Sequence, residues 1–247
     1  MSVKENVISL LEEVEKIASS AGRDPDSITI VGVTKTVPLE KIKEAYDAGL
    51  RHFGENRVQE AREKISFLEA ETRRGNSVLE DAVWHMVGHL QKNKVKYAVK
   101  LFQYIHSLDS FSLVDELVRR LRRLEEAMTE REESFSGGMS NEEFRLKVFV
   151  EVKTDPVPTK HGVSPEEVPL LTEYIKSRSQ YFELLGLMTV APSDRREAAK
   201  AFSLLRKLAE DLKLPHLSMG MSNDYDIAIK EGATFLRIGR RIFGERL

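Results

Sequence analysis

Apolar residues recur along this chain with two different spacings. Near the N-terminus they fall every three or four positions, which predicts one amphipathic helix over 3–20. The helix stripe consists of Val3, Val7, Leu10, Leu11, Val14, Ile17 and Ala18. Gly22 and Pro25 follow and predict its end. Beyond this point, short β-rich runs alternate with helical stretches, a pattern typical of parallel strands joined by right-handed crossovers.

Eight such runs predict eight strands. They are Ile28–Thr34, Arg51–Gly54, Val83–Val87, Phe102–Ser107, Leu146–Val152, Phe182–Met188, His216–Ser218 and Thr234–Ile238. Helices are predicted between them at 38–48, 56–70, 91–98, 111–131, 165–178, 194–212 and 223–231. The pattern favours an α/β fold, a single (β/α)₈ TIM-type barrel whose extra N-terminal helix covers the wall that has no eighth helix. An open doubly wound sheet is the alternative, although it usually has fewer strands.

Composition narrows the possible functions. The 247 residues show no domain boundary, so we expect one domain over 1–247, with a flexible loop at about 132–143 around the patch Ser134–Ser140. The net charge of -2 favours neither nucleic acid nor an anionic membrane as a partner. The basic run Arg119–Arg123 could form a nucleic-acid patch, but acidic residues follow it directly and the apolar residues of this segment keep helical spacing. We therefore interpret it as a solvated helix face.

No apolar run approaches the roughly 18 residues needed to span a bilayer, and the N-terminus lacks a signal-peptide core. We therefore expect a cytoplasmic protein without membrane association. The chain has no cysteine, which excludes disulfides, thiolate nucleophiles and zinc–sulfur sites.

The active sites of (β/α)₈ barrels lie at the C-terminal ends of the strands. Lys35 follows the first predicted strand, where its amine would lie at the rim of a dry barrel. A lysine that forms a Schiff base needs a lowered pKa, which burial or a nearby cation such as Arg237 would provide. The alternative is a surface lysine in a turn that ends at Pro38.

The loops after the seventh and eighth strands have the features of a phosphate cradle. Ser222 lies in the run LSMGMSNDYDIAI, and Gly239 ends the last strand. Exposed amides in these two loops commonly bind phosphate in this fold. Ser222 or Asn223 is also a plausible N-cap of the next helix, and a simple cap is the alternative role for Ser222.

Two histidines flank the end of the third strand. His85 lies within the strand and is interpreted as a buried core residue, whereas His89 lies beyond it at the rim. A metal site built from His85, His89, Glu55 and Asp109 is conceivable, but the spacing matches no defined metal motif. We therefore predict no metal site.

A set of motifs in a fixed order resembles a known family. The motifs are Val33-Thr34-Lys35-Thr36, Phe53-Gly54-Glu55-Asn56, Trp84-His85 with Gly88-His89-Leu90-Gln91, Phe149-Val150-Glu151-Val152 with Lys160-His161-Gly162, Gly186-Leu187-Met188-Thr189, and LSMGMSNDYDIAI with the later RIG and IFG. Over about 28–244 the chain resembles the pyridoxal phosphate homeostasis protein family, whose members are related to the N-terminal barrel of alanine racemase.

The resemblance implies a fold-type III barrel that holds pyridoxal 5′-phosphate covalently on Lys35 as a Schiff base. It also implies the remaining cofactor contacts. Ser222, Gly239 and Arg240 would hold the phosphate, Met221 would line the phosphate turn, Arg237 would face the pyridine nitrogen, and Asn56 and His89 would lie beside the ring. The chain departs from the family pattern at Arg57, where an aromatic residue is usual, and at Arg240-Arg241, where small residues are usual.

The first functional hypothesis is a carrier that sequesters the cofactor and supplies it to apo-enzymes through transient contacts, and we expect a monomer or weak dimer. A chain ending at Leu247, directly after the barrel, is expected to lack the second domain of alanine racemase. An arginine beside the pyridine nitrogen leaves it unprotonated and weakens the electron sink, which favours holding the cofactor. The alternatives are an amino-acid racemase that uses Lys35 with water or His89, and a sugar-phosphate aldolase that uses Lys35 without pyridoxal.

Overall fold

The strands form a closed parallel barrel. The computed structural model describes residues 2–75, 79–132, 145–155 and 161–245. Its strands are β1 Thr29–Val33, β2 His52–Glu55, β3 Val83–Met86, β4 Tyr104–Leu108, β5 Leu146–Glu151, β6 Phe182–Met188, β7 His216–Ser218 and β8 Phe235–Ile238. Each pairs with the next, and β8 pairs with β1. The barrel prediction is confirmed, and the open sheet is excluded because the ring of strands has no edge.

Helices surround the barrel in the predicted order. They are α1 Val3–Ser20, α2 Leu39–Asp47, α3 Val58–Arg73, α4 Val95–Leu101, α5 Phe111–Glu132, α6 Val168–Lys176, α7 Arg195–Asp211, α8 Tyr225–Lys230 and α9 Arg240–Phe243. The short α9 was not predicted, because four residues are too few to show a helical period. The loop predicted at about 132–143 lies almost entirely outside the described residues, as does Lys160.

The N-terminal helix completes the wall as predicted. A capping box at Ser2 and Glu5 starts α1, with the Glu5 amide donating to Ser2 Oγ at 3.2 Å. The apolar face of α1 packs against α2, α8 and α9, and its buried residues are Val3, Val7, Leu10, Val14 and Ala18. Asn6 Nδ2 donates to the Ile242 carbonyl at 2.9 Å. The helix therefore covers the barrel where β8 meets β1.

Two layers of buried residues hold the barrel together. A large apolar cluster lies between the strands and the helices, and a smaller one inside the barrel includes Val31, Phe149, Met188 and Phe235. The interior also contains fully buried His85, His106 and Ser218. Within the described part of the chain, every helix is too short or too polar to cross a bilayer.

Candidate functional site

Three adjoining clefts open at the C-terminal mouth of the barrel, and Asn56 lines all of them. The first, of about 760 Å³, includes Lys35 and His89. The second, of about 590 Å³, is lined by five more of the predicted site residues: Met221, Ser222, Arg237, Gly239 and Arg240. The third, of about 240 Å³, includes His89 and Glu151. The structure thus brings all eight predicted residues to one mouth.

Lys35 lies in a turn that is fixed from both sides. Just before it, Thr34 is fully buried, and its Oγ1 donates to Glu55 Oε1 at 2.7 Å. Just after it, Thr36 adopts a left-handed backbone with φ 62°, and its amide donates to Glu60 Oε1 at 2.5 Å. A non-glycine residue in this conformation needs such support from its surroundings.

Lys64 from α3 joins these supports and was not identified from the sequence. Its Nζ lies 2.7 Å from the Thr34 carbonyl, from Glu55 Oε1 and from Glu60 Oε1. Burial raises the pKa of Glu55, and the contact with Lys64 opposes that change. The ammonium therefore holds two carboxylates and one carbonyl under the turn that carries Lys35.

Arg237 forms a cation in the floor of the second cleft. The residue is only 4% exposed, and its guanidinium donates to Ser218 Oγ and to the Thr189 carbonyl, each at 2.7 Å. Burial lowers the pKa of Arg237 to about 10, while the nearby carboxylates of Glu151 and Asp224 oppose that change. The side chain therefore remains charged at neutral pH.

Glu151 lies at the end of β5 and was not proposed as a site residue from the sequence. Burial and the negative charge of Asp109 raise its pKa to about 7, while Arg237 opposes the change. A carboxyl with such a pKa exchanges a proton at neutral pH. The sequence feature that could have identified Glu151 is an acidic residue at the end of an apolar strand. Its raised pKa, however, depends on burial, which the sequence does not show.

The loop after β7 differs from the prediction. Neither Ser222 nor Asn223 caps α8, because the chain makes a further turn after Gly220 and the helix starts at Tyr225, with Asp224 in the N-cap position. Asp224 Oδ1 instead accepts from the Met221 amide at 2.5 Å. Ser222 Oγ accepts from the Arg241 amide at 3.3 Å, so its hydroxyl joins this loop to α9.

Gly220 makes that turn possible. Its φ of 92° suits glycine, and an added Cβ would lie 2.6 Å from the Cβ of Ala228. The close approach brings α8 against the end of β7 and places Met221 and Ser222 at the cleft.

His89 forms a pair with a carboxylate at the open rim. Its Nδ1 lies 3.2 Å from Asp109 Oδ2, and its ring stacks on His161 with centroids 3.8 Å apart. Potential metal ligands of all three residues lie within 4.8 Å of one another. However, an imidazole lone pair lies in the plane of its ring, and two stacked rings whose planes are only 10° apart have no common plane in which both could ligate one ion. The four-residue metal set considered from the sequence is not assembled, since His85 lies inside the barrel.

The three arginines that depart from the family pattern, Arg57, Arg240 and Arg241, lie at different places. Arg57 precedes α3 and lines the first cleft, and Arg240 lines the second. Arg241 turns away from both, donates to Ser9 Oγ at 3.0 Å and pairs with Glu13 of α1. The structure therefore assigns Arg241 a role in packing rather than at the cleft.

Known proteins match this chain over nearly its whole length. The model of the alanine racemase N-terminal domain family matches residues 9–246. The pyridoxal phosphate homeostasis protein of Aquifex aeolicus is 37% identical, with 100% of this chain and 99% of the relative covered. The human protein of the same name is 33% identical over 95% of this chain and 83% of the relative.

Solved structures agree with these matches. PipY of Synechococcus elongatus, whose structure is described as having PLP bound, is 35% identical with a TM-score of 0.71 and covers 94% of this chain and 99% of its own. An alanine racemase of Clostridium difficile is 16% identical, with a TM-score of 0.63, and the match covers 98% of this chain and 57% of the racemase. That last similarity concerns the fold alone. By sequence and by fold, this chain belongs to the pyridoxal phosphate homeostasis protein family.

Proposed function

We propose that this chain binds pyridoxal 5′-phosphate as a Schiff base on Lys35 and functions in intracellular homeostasis of that cofactor. The observation that carries the proposal is the placement of Lys35 and Arg237 in adjoining clefts that share Asn56. A primary amine, a buried cation and a hydroxyl-lined loop are the groups that an aldehyde, a pyridine nitrogen and a phosphate require.

The residues present fit that cofactor. Asn56 Oδ1 is buried and has no hydrogen-bond partner among the described residues, so the site contains a polar atom that a ligand would satisfy. Ser222, Gly239 and Arg240 would hold the phosphate at the second cleft, with Met221 beside them. Arg237 would face the ring nitrogen, and Asn56 and His89 would contact the ring edge. The bound cofactor supplies a reactive aldehyde, which Lys35 would keep masked.

The test is an absorption spectrum of protein given pyridoxal phosphate, followed by borohydride reduction and peptide mapping. We expect a near-visible Schiff-base band and a trapped adduct on Lys35. Lys35→Ala should lose both, whereas Lys94→Ala, in the same cleft, should keep both. A band that survives Lys35→Ala, or an adduct on another lysine, would contradict the assignment.

We further propose that the loaded protein supplies cofactor to apo-enzymes through transient contact, as a monomer or weak dimer in the cytoplasm. Reactivation of an apo-enzyme would be followed with a phosphatase present to destroy free pyridoxal phosphate. Reactivation that persists supports direct transfer, and complete loss shows release into solution instead. Sedimentation during the same mixing would report the oligomeric state.

A second candidate function is a pyridoxal-dependent racemase. The His89–Asp109 pair favours it, because a carboxylate that accepts Nδ1–H leaves Nε2 of the imidazole free to take a proton. Exchange of solvent deuterium into Cα of alanine, measured with the racemisation rate, distinguishes the two functions. Fast exchange that His89→Gln abolishes would favour the racemase over the carrier.

A further inference from the structure

A continuous column of hydrogen-bonded side chains crosses the barrel interior. His52 Nδ1 lies 2.9 Å from His85 Nε2, and His85 Nδ1 lies 2.9 Å from His106 Nε2. His106 Nδ1 then lies 2.7 Å from Ser218 Oγ, which accepts from Arg237 at 2.7 Å. Branched apolar residues usually fill such interiors. This column, which we call the histidine chain, runs from His52 at the start of β2 to the cleft floor.

In the histidine chain every hydrogen bond is donated in the same direction, and Arg237 sets that direction. A guanidinium donates hydrogen bonds and accepts none, so Ser218 Oγ must be the acceptor in their contact. The serine proton is then available for His106 Nδ1, which must be unprotonated to accept it. His106 therefore carries its proton on Nε2 and donates to His85 Nδ1, and His85 donates in the same way to His52.

We propose that Ser218, His106, His85 and His52 are positioning residues for Arg237, joined in a hydrogen-bond chain of fixed polarity that couples the cleft to the opposite end of the barrel. The importance of that coupling for cofactor binding rests on the proposed function. The polarity of the chain does not, because it follows from protein groups alone.

The charged and aromatic neighbours of the histidine chain favour the neutral form of its three imidazoles. Lys147 of β5 lies beside His52 and His85, its Nζ donates to the Tyr104 hydroxyl at 3.3 Å, and Tyr104 stacks on His85. Burial lowers the pKa of His52, and the Lys147 cation adds to that change. Burial also lowers the pKa of His85, and His106, His52 and Lys147 add to it. Burial and Arg237 likewise lower the pKa of His106.

Reversing the donor and acceptor roles along the histidine chain would be unfavourable. If His106 donated from Nδ1 to Ser218, the serine oxygen would accept from two donors and its own proton would need another acceptor. A buried donor without a partner is destabilising, because it loses its hydrogen bond to water and gains none in the protein. A doubly protonated His106 would also place a second positive charge close to the Arg237 cation. The arrangement therefore fixes both the tautomers and the orientation of the guanidinium.

The first test uses the protein without cofactor and measures ¹⁵N shifts of the histidine side chains at pH 7, with couplings across the N–H···N hydrogen bonds. We expect all three histidines to be neutral with the proton on Nε2. We also expect couplings from His106 Nε2 to His85 Nδ1 and from His85 Nε2 to His52 Nδ1. A proton on Nδ1 of His106, or a charged histidine in the chain, would overturn the proposal.

The second test changes the link between the chain and Arg237. Ser218→Ala should weaken pyridoxal phosphate binding about tenfold, as expected for loss of a hydrogen bond to a charged group. Ser218→Thr keeps the hydroxyl and should restore most of the affinity. His216→Gln changes a β7 histidine outside the chain and should leave affinity unchanged. Wild-type affinity in Ser218→Ala would overturn the positioning role.

The third measurement follows coupling to the distant end. Pyridoxal phosphate should change the ¹⁵N shifts of His52 in the wild type and not in Ser218→Ala, because polarisation passes along connected hydrogen bonds. An unchanged His52 in the wild type would overturn the coupling. If the wild type forms no adduct on Lys35, the proposed function fails instead, and the tautomer measurement still decides the polarity.

Discussion

At the scale of single residues, burial determines the chemistry of this cleft more than residue type does. Glu151 is an ordinary carboxylic acid by sequence, yet burial and Asp109 bring its pKa to about 7. Its folded-state pKa is raised, so its stabilising contribution is fully present below the unfolded value of about 4.5. That contribution is lost as pH rises through about 7.

The free energy of unfolding of Glu151→Gln is therefore expected to fall less with rising pH than that of the wild type. Between pH 5 and pH 8 the wild type should lose about 2 kcal/mol more of its free energy of unfolding than the variant does, from the size of the pKa change. Urea denaturation at both pH values measures this. Parallel losses in the two proteins would show that Glu151 ionises normally.

The contacts of Lys64 lead to a second residue-scale prediction. Lys64→Met removes the partner of a fully buried carboxylate, Glu55, and should cost about 3 kcal/mol of unfolding free energy. Lys43→Met is the matched control, because its pair with Asp47 is exposed and exposed pairs contribute under about 1 kcal/mol. Equal effects in urea denaturation would mean that the buried pair adds nothing.

At the scale of elements, α1 is part of the barrel wall rather than an appendage. It packs on α2, α8 and α9, and Arg241 holds α9 to it through Ser9 and Glu13. Because α9 directly follows Gly239 and its Arg241 amide donates to Ser222, α1 supports the loops of the second cleft from outside.

Leu10→Ala tests this integration. Leu10 is fully buried, and its truncation in α1 should cost about 3 kcal/mol if the helix belongs to the common core. The neighbouring Leu11 is 44% exposed, and Leu11→Ala should change stability by no more than about 0.5 kcal/mol. A small effect of Leu10→Ala, with a separate early transition for α1, would contradict the integrated wall.

At the scale of the whole molecule, the closed ring of strands brings residues from distant parts of the sequence to one mouth. Lys35 follows β1 and Arg237 lies in β8, yet these strands are paired neighbours. A cofactor bridging their clefts would bind the folded chain only, and binding to the folded state alone raises stability by mass action.

Pyridoxal phosphate at about 100 times its Kd should therefore stabilise the wild type by about 2.7 kcal/mol. Calorimetric melting with increasing cofactor measures the shift, and Lys35→Ala should show a much smaller one. A comparable shift in both proteins would place the stabilising interaction elsewhere than at Lys35.

The strand pattern and motifs of the sequence by themselves determined the barrel, the N-terminal helix and the eight residues at its mouth. The barrel and the helix follow from local periodicity, and the rule that strand ends of a parallel barrel converge places residues such as Lys35 at the mouth. The selection of the eight residues as a set came from the family resemblance of the motifs. The predicted ends of the helices and strands differ from the observed ends by a few residues. The predicted N-cap of α8 is wrong, because the turn after Gly220 extends beyond Asn223.

Only the tertiary structure decided which side chains meet. The support of the Lys35 turn by Lys64, the near-neutral pKa of Glu151 and the histidine chain all join residues far apart in sequence. His85 could be interpreted from its strand only as a buried residue, whereas four other strands supply the side chains that fix its proton. Pairing across the barrel, burial and charge proximity depend on three-dimensional distance, which local sequence spacing does not contain.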